Sequence, residues 1–138
     1  MSLEYEAPEG YYYTRDHEWV KVEKNKVRVG ITDYAQKKLR EIIFVELPNV
    51  GQKIKQGETL ATIESVKASA DVYSPITGKV VEVNSRLIDN PELLNEDPYG
   101  SGWISVLEIT EEISYEDFMD SDEYRKYLED LEEAKVEE

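Results

Sequence analysis

Cysteine is absent from the 138 residues, so the chain can build neither a disulfide framework nor a thiolate metal or redox centre of its own. Any sulfur chemistry has to be imported. His17 is the only histidine, and with no serine, cysteine or metal-ligand set beside it, it reads as structural rather than as a catalytic base. No apolar run approaches the ~20 residues that span a bilayer. The opening Met1-Ser2-Leu3-Glu4-Tyr5-Glu6 lacks the basic and then apolar character of a secretory signal. A cytoplasmic protein is expected. Positive charge is scarce: 16 basic residues face 31 acidic ones, a net charge of −15. That balance repels phosphates, so no nucleic-acid or membrane partner is expected, and basic-faced proteins fit better.

What is there suffices for a core. Apolar residues make up 40% of the sequence and are spread along it, so most of the chain should fold without crosslinks. The acidity is concentrated late. Residues 111–138 hold 13 acids against 3 bases, a net −10, and the rest holds 18 against 13, a net −5. One unit over residues 1–131 is expected, with a helical segment over about 114–131 and a frayed acidic tail at 132–138. Read alone, a charge run of that kind is a solvated face.

Val20 and Val22 alternate, a polar turn follows at Lys24-Asn25, and Val27, Val29 and Ile31 alternate again, which spells a hairpin. Thr32 and Asp33 are good N-caps, and Gln36 lies three beyond Asp33 as in a capping box, so a short helix is expected over 33–40. The run Ile42-Ile43-Phe44-Val45-Glu46-Leu47 reads as a strand buried on much of its surface. Strands follow at 59–64 and 71–74, interrupted at 65–69, then at 79–83. Residues 84–102, with Pro91, Pro98 and Gly100, form the longest loop, shortened by any helical turn near Leu93 and Leu94. A last strand covers 103–109, and Phe118, Tyr124, Tyr127, Leu128 and Leu131 recur at helical spacing. Trp19 and Trp103 read as core aromatics. Many short strands with turns between them point to a mainly β, flattened barrel or sandwich of antiparallel strands, with a short internal helix and C-terminal helices.

Lys67 stands in the interruption between two strands, flanked by Ser65, Ala68, Ser69 and Ala70, with Gly57 and Gly78 ten before and eleven after. A lysine there is displayed on a tight tip. A Schiff-base lysine needs its amine pKa lowered by burial or a neighbouring cation, whereas Glu64 and Asp71 here favour the ammonium. Such a lysine suits acylation by another enzyme.

The string Glu64-Ser65-Val66-Lys67-Ala68 resembles the lipoyl-attachment motif of the glycine cleavage system H proteins. It is one of several matches in order: Asp16-His17-Glu18-Trp19-Val20, Val29-Gly30-Ile31-Thr32-Asp33-Tyr34-Ala35-Gln36, Phe44-Val45-Glu46-Leu47-Pro48, Val81-Glu82-Val83-Asn84, Asn90-Pro91-Glu92-Leu93, and Asn95-Glu96-Asp97-Pro98-Tyr99-Gly100 with Gly102-Trp103. Biotin carriers typically flank the lysine with methionine, and lipoyl domains of 2-oxoacid dehydrogenases precede it with aspartate. Here Val66 precedes it.

The resemblance implies a biotinyl/lipoyl-carrier fold and a non-catalytic carrier with lipoate on Lys67. Its implied partners are the glycine-decarboxylating P-protein, the aminomethyl-transferring T-protein, the dihydrolipoamide dehydrogenase or L-protein, and a lipoate ligase or lipoyl transferase. It assigns Glu18 and Asp71 to the cationic amine on the loaded arm; read alone, both are ordinary carboxylates. No metal is implied. An H-like lipoyl or octanoyl depot in lipoate assembly is the alternative. The sequence departs from the family pattern at Arg40-Glu41, where Gly-Asp is usual, at Ser69-Ala70, and at Asp16, where a serine or similar residue can help hold the amine.

Overall fold

A computed structural model describes residues 5–137; residues 1–4 of the expected unit and 138 of the expected tail lie outside the described residues. In chain order come β1 (Tyr12–Tyr13), β2 (Glu18–Glu23), β3 (Lys26–Ile31), α1 (Asp33–Leu39), β4 (Ile42–Glu46), β5 (Lys53–Ile54), β6 (Thr59–Ser65), β7 (Ser69–Tyr73) and β8 (Gly78–Val83). The helical turns α2 (Arg86–Asp89) and α3 (Leu93–Glu96), strand β9 (Ser105–Ile109), a 3-10 turn (Tyr115–Asp117) and helix α4 (Ser121–Glu137) complete it. The expected mainly β architecture is the one observed. An antiparallel six-stranded sheet, β1-β2-β3-β9-β8-β5, faces a three-stranded sheet, β4-β6-β7.

Period-two patterning explains the two layers. Val20, Val27, Val29, Ile54, Val80 and Leu107 of the large sheet meet Leu60 of the small sheet and Ile76 in one buried cluster. Ile42, Val45, Ile63 and Val72 of the small sheet meet Leu87, Leu94 and Ile104 in a second. At roughly 2 kcal/mol per fully buried aliphatic side chain, these clusters fix the base from which the β6–β7 hairpin projects. A third, aromatic cluster joins Tyr13, Trp19 and Tyr34 to Tyr124 and Leu128 on the inner face of α4.

The structure differs from the sequence reading at several places. Helix α1 is capped by Thr32, whose Oγ1 accepts from the Ala35 amide at 3.2 Å. Gln36 does not close a capping box; its Nε2 donates to Asp33 Oδ1 at 2.8 Å. Residues 84–102 contain two helical turns, because Leu87 and Leu94 are drawn into the core while Asn84 Nδ2 clamps the Ser101 and Trp103 carbonyls at 2.8 and 2.7 Å. Trp19 is fully buried as expected, but Trp103 is half-exposed, with the Arg28 guanidinium 5.0 Å from its ring centroid. β4 is an edge strand whose Ile43 and Phe44 face solvent. The helical segment begins later than 114 apart from the 3-10 turn, and α4 continues past 131 through strong helix formers such as Glu133 and Ala134. Among the described residues no helix is long and apolar enough to cross a membrane.

Trp19 pairs across the sheet with Gly30, and its Nε1 donates to the Pro98 carbonyl at 2.9 Å. A Cβ on Gly30 would lie 2.5 Å from the indole, and the indole is held where it is. Gly30→Ala is expected to destabilise the fold by about 3 kcal/mol, read from the midpoint of urea unfolding.

Candidate functional site

Lys67 sits at the outer end of the β6–β7 hairpin, where Glu64 pairs with Ser69. The connection at 65–68 contains no residue with positive φ, so β-branched Val66 and Lys67 fit it without glycine. The turn is closed by a side chain. Ser65 Oγ accepts from the Lys67 amide at 3.1 Å and the Ala68 amide at 3.0 Å, and donates to the Ala68 carbonyl at 3.1 Å. One donor and two acceptors exhaust a hydroxyl's capacity. The Ser65 amide donates to the Ala68 carbonyl at 2.8 Å, and the Val66 amide donates to the Glu41 carbonyl at 3.0 Å, tying the tip to the start of β4.

The Lys67 side chain is exposed, and its Nζ lies 3.5 Å from the Lys38 carbonyl in the last turn of α1. An amine so placed is open to an incoming acyl donor. The segment behind it is fixed by Asn95, whose Oδ1 accepts from the Ile42 amide at 3.0 Å. Asn95 Nδ2 donates to Gln36 Oε1 at 3.0 Å and to the Arg40 carbonyl at 2.7 Å. Arg40 ends α1 at φ 66°, ψ −149°, backbone that favours glycine. The residue that departs from the family pattern is therefore strained.

Glu18 opens β2 after a tight turn at 14–17 in which His17 takes φ 69°. Its carboxyl is buried at 2% exposure. Oε1 accepts from Thr14 Oγ1 at 2.6 Å, and Oε2 accepts from the Tyr73 amide at 3.1 Å, so Glu18 joins the large sheet to β7 of the small one. Burial pushes its pKa up to about 7 against those two hydrogen bonds, which pull it down. Glu18 and Asp16 line a shallow cavity of about 200 Å³ with Thr14, Arg15 and Tyr73. Asp71 is exposed on β7, two residues before Tyr73 and opposite Thr62, whose Oγ1 donates to Asp71 Oδ1 at 3.2 Å. It is not part of the cavity lining.

His17 Nδ1 lies 2.8 Å from the Tyr124 hydroxyl, which also bonds Thr32 Oγ1 at 2.8 Å, a contact that docks α4. Ser65, Thr14 and Asn95 escape a reading by charge and patterning. A serine two positions before a lysine in a predicted turn carries some signal, since serine caps turns; Thr14 and Asn95 act on residues brought near by folding, and nothing local marks them.

A family model described as glycine cleavage H-protein matches residues 11–131. The chain is 56% identical over 121 residues to the glycine cleavage system H protein of Coprothermobacter proteolyticus, covering 87% of this chain and 95% of that relative. It is 53% identical over 132 residues to the probable glycine cleavage system H protein of Thermococcus gammatolerans, covering 93% and 96%. The crystal structure of an H protein from Mycobacterium marinum superposes with a TM-score of 0.81 at 35% identity, covering 87% of this chain and 97% of that one.

Two outcomes are expected. The folded-state pKa of Glu18, about 7, lies above its ordinary 4.5. Its stabilising contribution is therefore present below 4.5 and lost as pH rises towards 7. Glu18→Gln should abolish that part of the pH dependence, so that wild type loses stability relative to the variant between pH 5 and pH 8 in urea unfolding. Arg40→Gly should raise stability by about 1 kcal/mol by relieving the backbone, seen as a higher thermal midpoint.

Proposed function

Because the chain belongs to the glycine cleavage H-protein family, we propose that Lys67 carries its covalent lipoyl group and that Glu18 and Asp71 meet the loaded end of the arm. The protein is a non-catalytic lipoyl carrier of the glycine cleavage system, and its family works with the P-, T- and L-proteins. The dithiolane, when bound, supplies the sulfur that takes the aminomethyl group from the P-protein to the T-protein and the electrons that leave through the L-protein.

The single observation that carries the assignment is an exposed lysine on a turn whose amides are held by the Ser65 hydroxyl. A lipoate ligase or lipoyl transferase attaches the group in the cytoplasm. In that step the Lys67 ammonium gives up two protons as the amide bond from Nζ to the acyl carbon forms. The bond between that carbon and its activating group breaks, and the leaving group takes the electron pair. The Ser65 hydrogen bonds order the tip before acylation, so the enzyme meets a pre-ordered substrate.

Downstream of the tip, β7 offers a track. From Lys67 to Asp71 is four residues, or about 13 Å of strand at ~3.3 Å per residue, and Tyr73, whose amide anchors Glu18, follows on the same face. A cationic amine arriving there meets Asp71 in solvent and then Glu18 in a shallow cavity that Asp16 and Asp117 also line. Glu18 ionises to pair with it and releases a proton, since a nearby positive charge lowers the carboxyl pKa. Thr14 holds the carboxyl in place for that contact.

Incubation of the unmodified protein with lipoate, ATP and a lipoate ligase should add one lipoyl group by intact mass, and Lys67→Ala should add none. An adduct that persists in the variant places the attachment elsewhere.

A further inference from the structure

Among the described residues six large apolar side chains stand well exposed, and four of them gather around Lys67. Val66 is its neighbour and is 62% exposed. Ile43 and Phe44, 52% and 49% exposed, lie on β4, where Ile42 pairs with Ser65 and Phe44 with Glu64. Ile88, 65% exposed, stands on α2, which packs against β4. Residues far apart in sequence thus bring Val66, Ile43 and Phe44 to one end of the small sheet, with exposed Glu64 across from Phe44 and Ile88 on the turn packed against β4.

The reason both Ile43 and Phe44 reach solvent is local. Strand alternation would send one of two consecutive residues inward, but the register shifts between Ile42 and Phe44, and that bulge frees both. The face lies at the edge of its sheet. Edge strands are usually guarded by charge or proline; here exposed Glu41 precedes the strand and exposed Glu46 ends it, and the exposed pair between them is apolar in a chain of net charge −15. An apolar cluster of this kind marks a surface that another protein covers.

We propose that this face, Ile43, Phe44, Val66 and Ile88, seats the enzyme that acylates Lys67. The inference rests on reading Lys67 as the attachment site. The geometry selects that enzyme among those that handle the carrier. Acylation happens at Nζ itself, so the acylating enzyme has to close down onto the tip, whereas the other partners act at the far end of the arm. The Val66 amide bond to the Glu41 carbonyl ties the tip to the start of β4, so an enzyme that surrounds Lys67 also meets β4. The partner surface it fits is an apolar rim around a slot that admits one lysine.

The test uses the full chain in unmodified form with lipoate ligase, ATP and lipoate, following the lipoyl adduct by intact mass over a range of carrier concentrations. Phe44→Asp and Ile88→Asp are expected to lower kcat/KM for the carrier at least tenfold, mostly through KM. Val50→Asp, which places the same charge on an exposed apolar residue (63%) outside the face, should match wild type. Thermal midpoints of all three variants within a few degrees of wild type show that folding is intact. Acylation of both face variants at the wild-type rate would overturn the proposal. So would variants acylated normally but slowed with the P-protein, which would assign the face to that enzyme. Failure of wild type to take any adduct would instead remove the attachment reading, and this inference with it.

Discussion

The hydroxyl of Ser65 turns a hairpin loop into a mount. Two amides and one carbonyl of the tip bond to it, so a connection with no glycine and a β-branched residue keeps a defined shape. Each such bond contributes only about 1 kcal/mol net, but they act together on a segment of four residues. Everything else at this end of the molecule is arranged so that this mount does not move relative to the body. The Val66 amide bonds β4, Asn95 binds β4 to the end of α1, and Leu87 and Leu94 press the intervening helical turns into the core below.

A second tie operates at the other end of β7. Glu18 reaches from the large sheet to the Tyr73 amide, replacing a ladder bond that the edge strand lacks. A buried carboxylate is a costly choice for a structural tie, since burial raises its pKa to about 7 and a neutral side chain could accept the same bonds. Under the proposed role of Glu18, that choice suits a carrier that holds a cation and gives it back. With a pKa of about 7 the carboxyl is only partly ionised at neutral pH, and under the proposed role a cation arriving beside it would raise the ionised fraction.

The large features were legible in the sequence because they are periodic or local. The β2–β3 hairpin, the helix after Thr32, the strands on either side of Lys67 and the exposure of that lysine all follow from alternation and small turn residues. The rest depends on contacts distant in sequence. The run at 42–47 looks like an interior strand by composition, yet a register shift and an edge position turn Ile43 and Phe44 outward. Residues 84–102 look like a loop by proline and glycine content, yet Asn84 and two leucines fold them into helical turns. Glu18 was visible as a charge in a motif; its burial and its bond to Tyr73 were not, because they require the second sheet.

The most direct measurement is amide hydrogen exchange at the tip of the unmodified protein, by NMR, in wild type and Ser65→Ala. If the hydroxyl holds the mount, the Lys67 and Ala68 amides exchange at least several-fold more slowly than in a free peptide, and they lose that protection in the variant while Ile63 and Val72 keep theirs. Exchange of Lys67 and Ala68 at free-peptide rates in the wild type would mean that the lysine rides on a flexible loop, and the rigid display of Lys67 would be wrong.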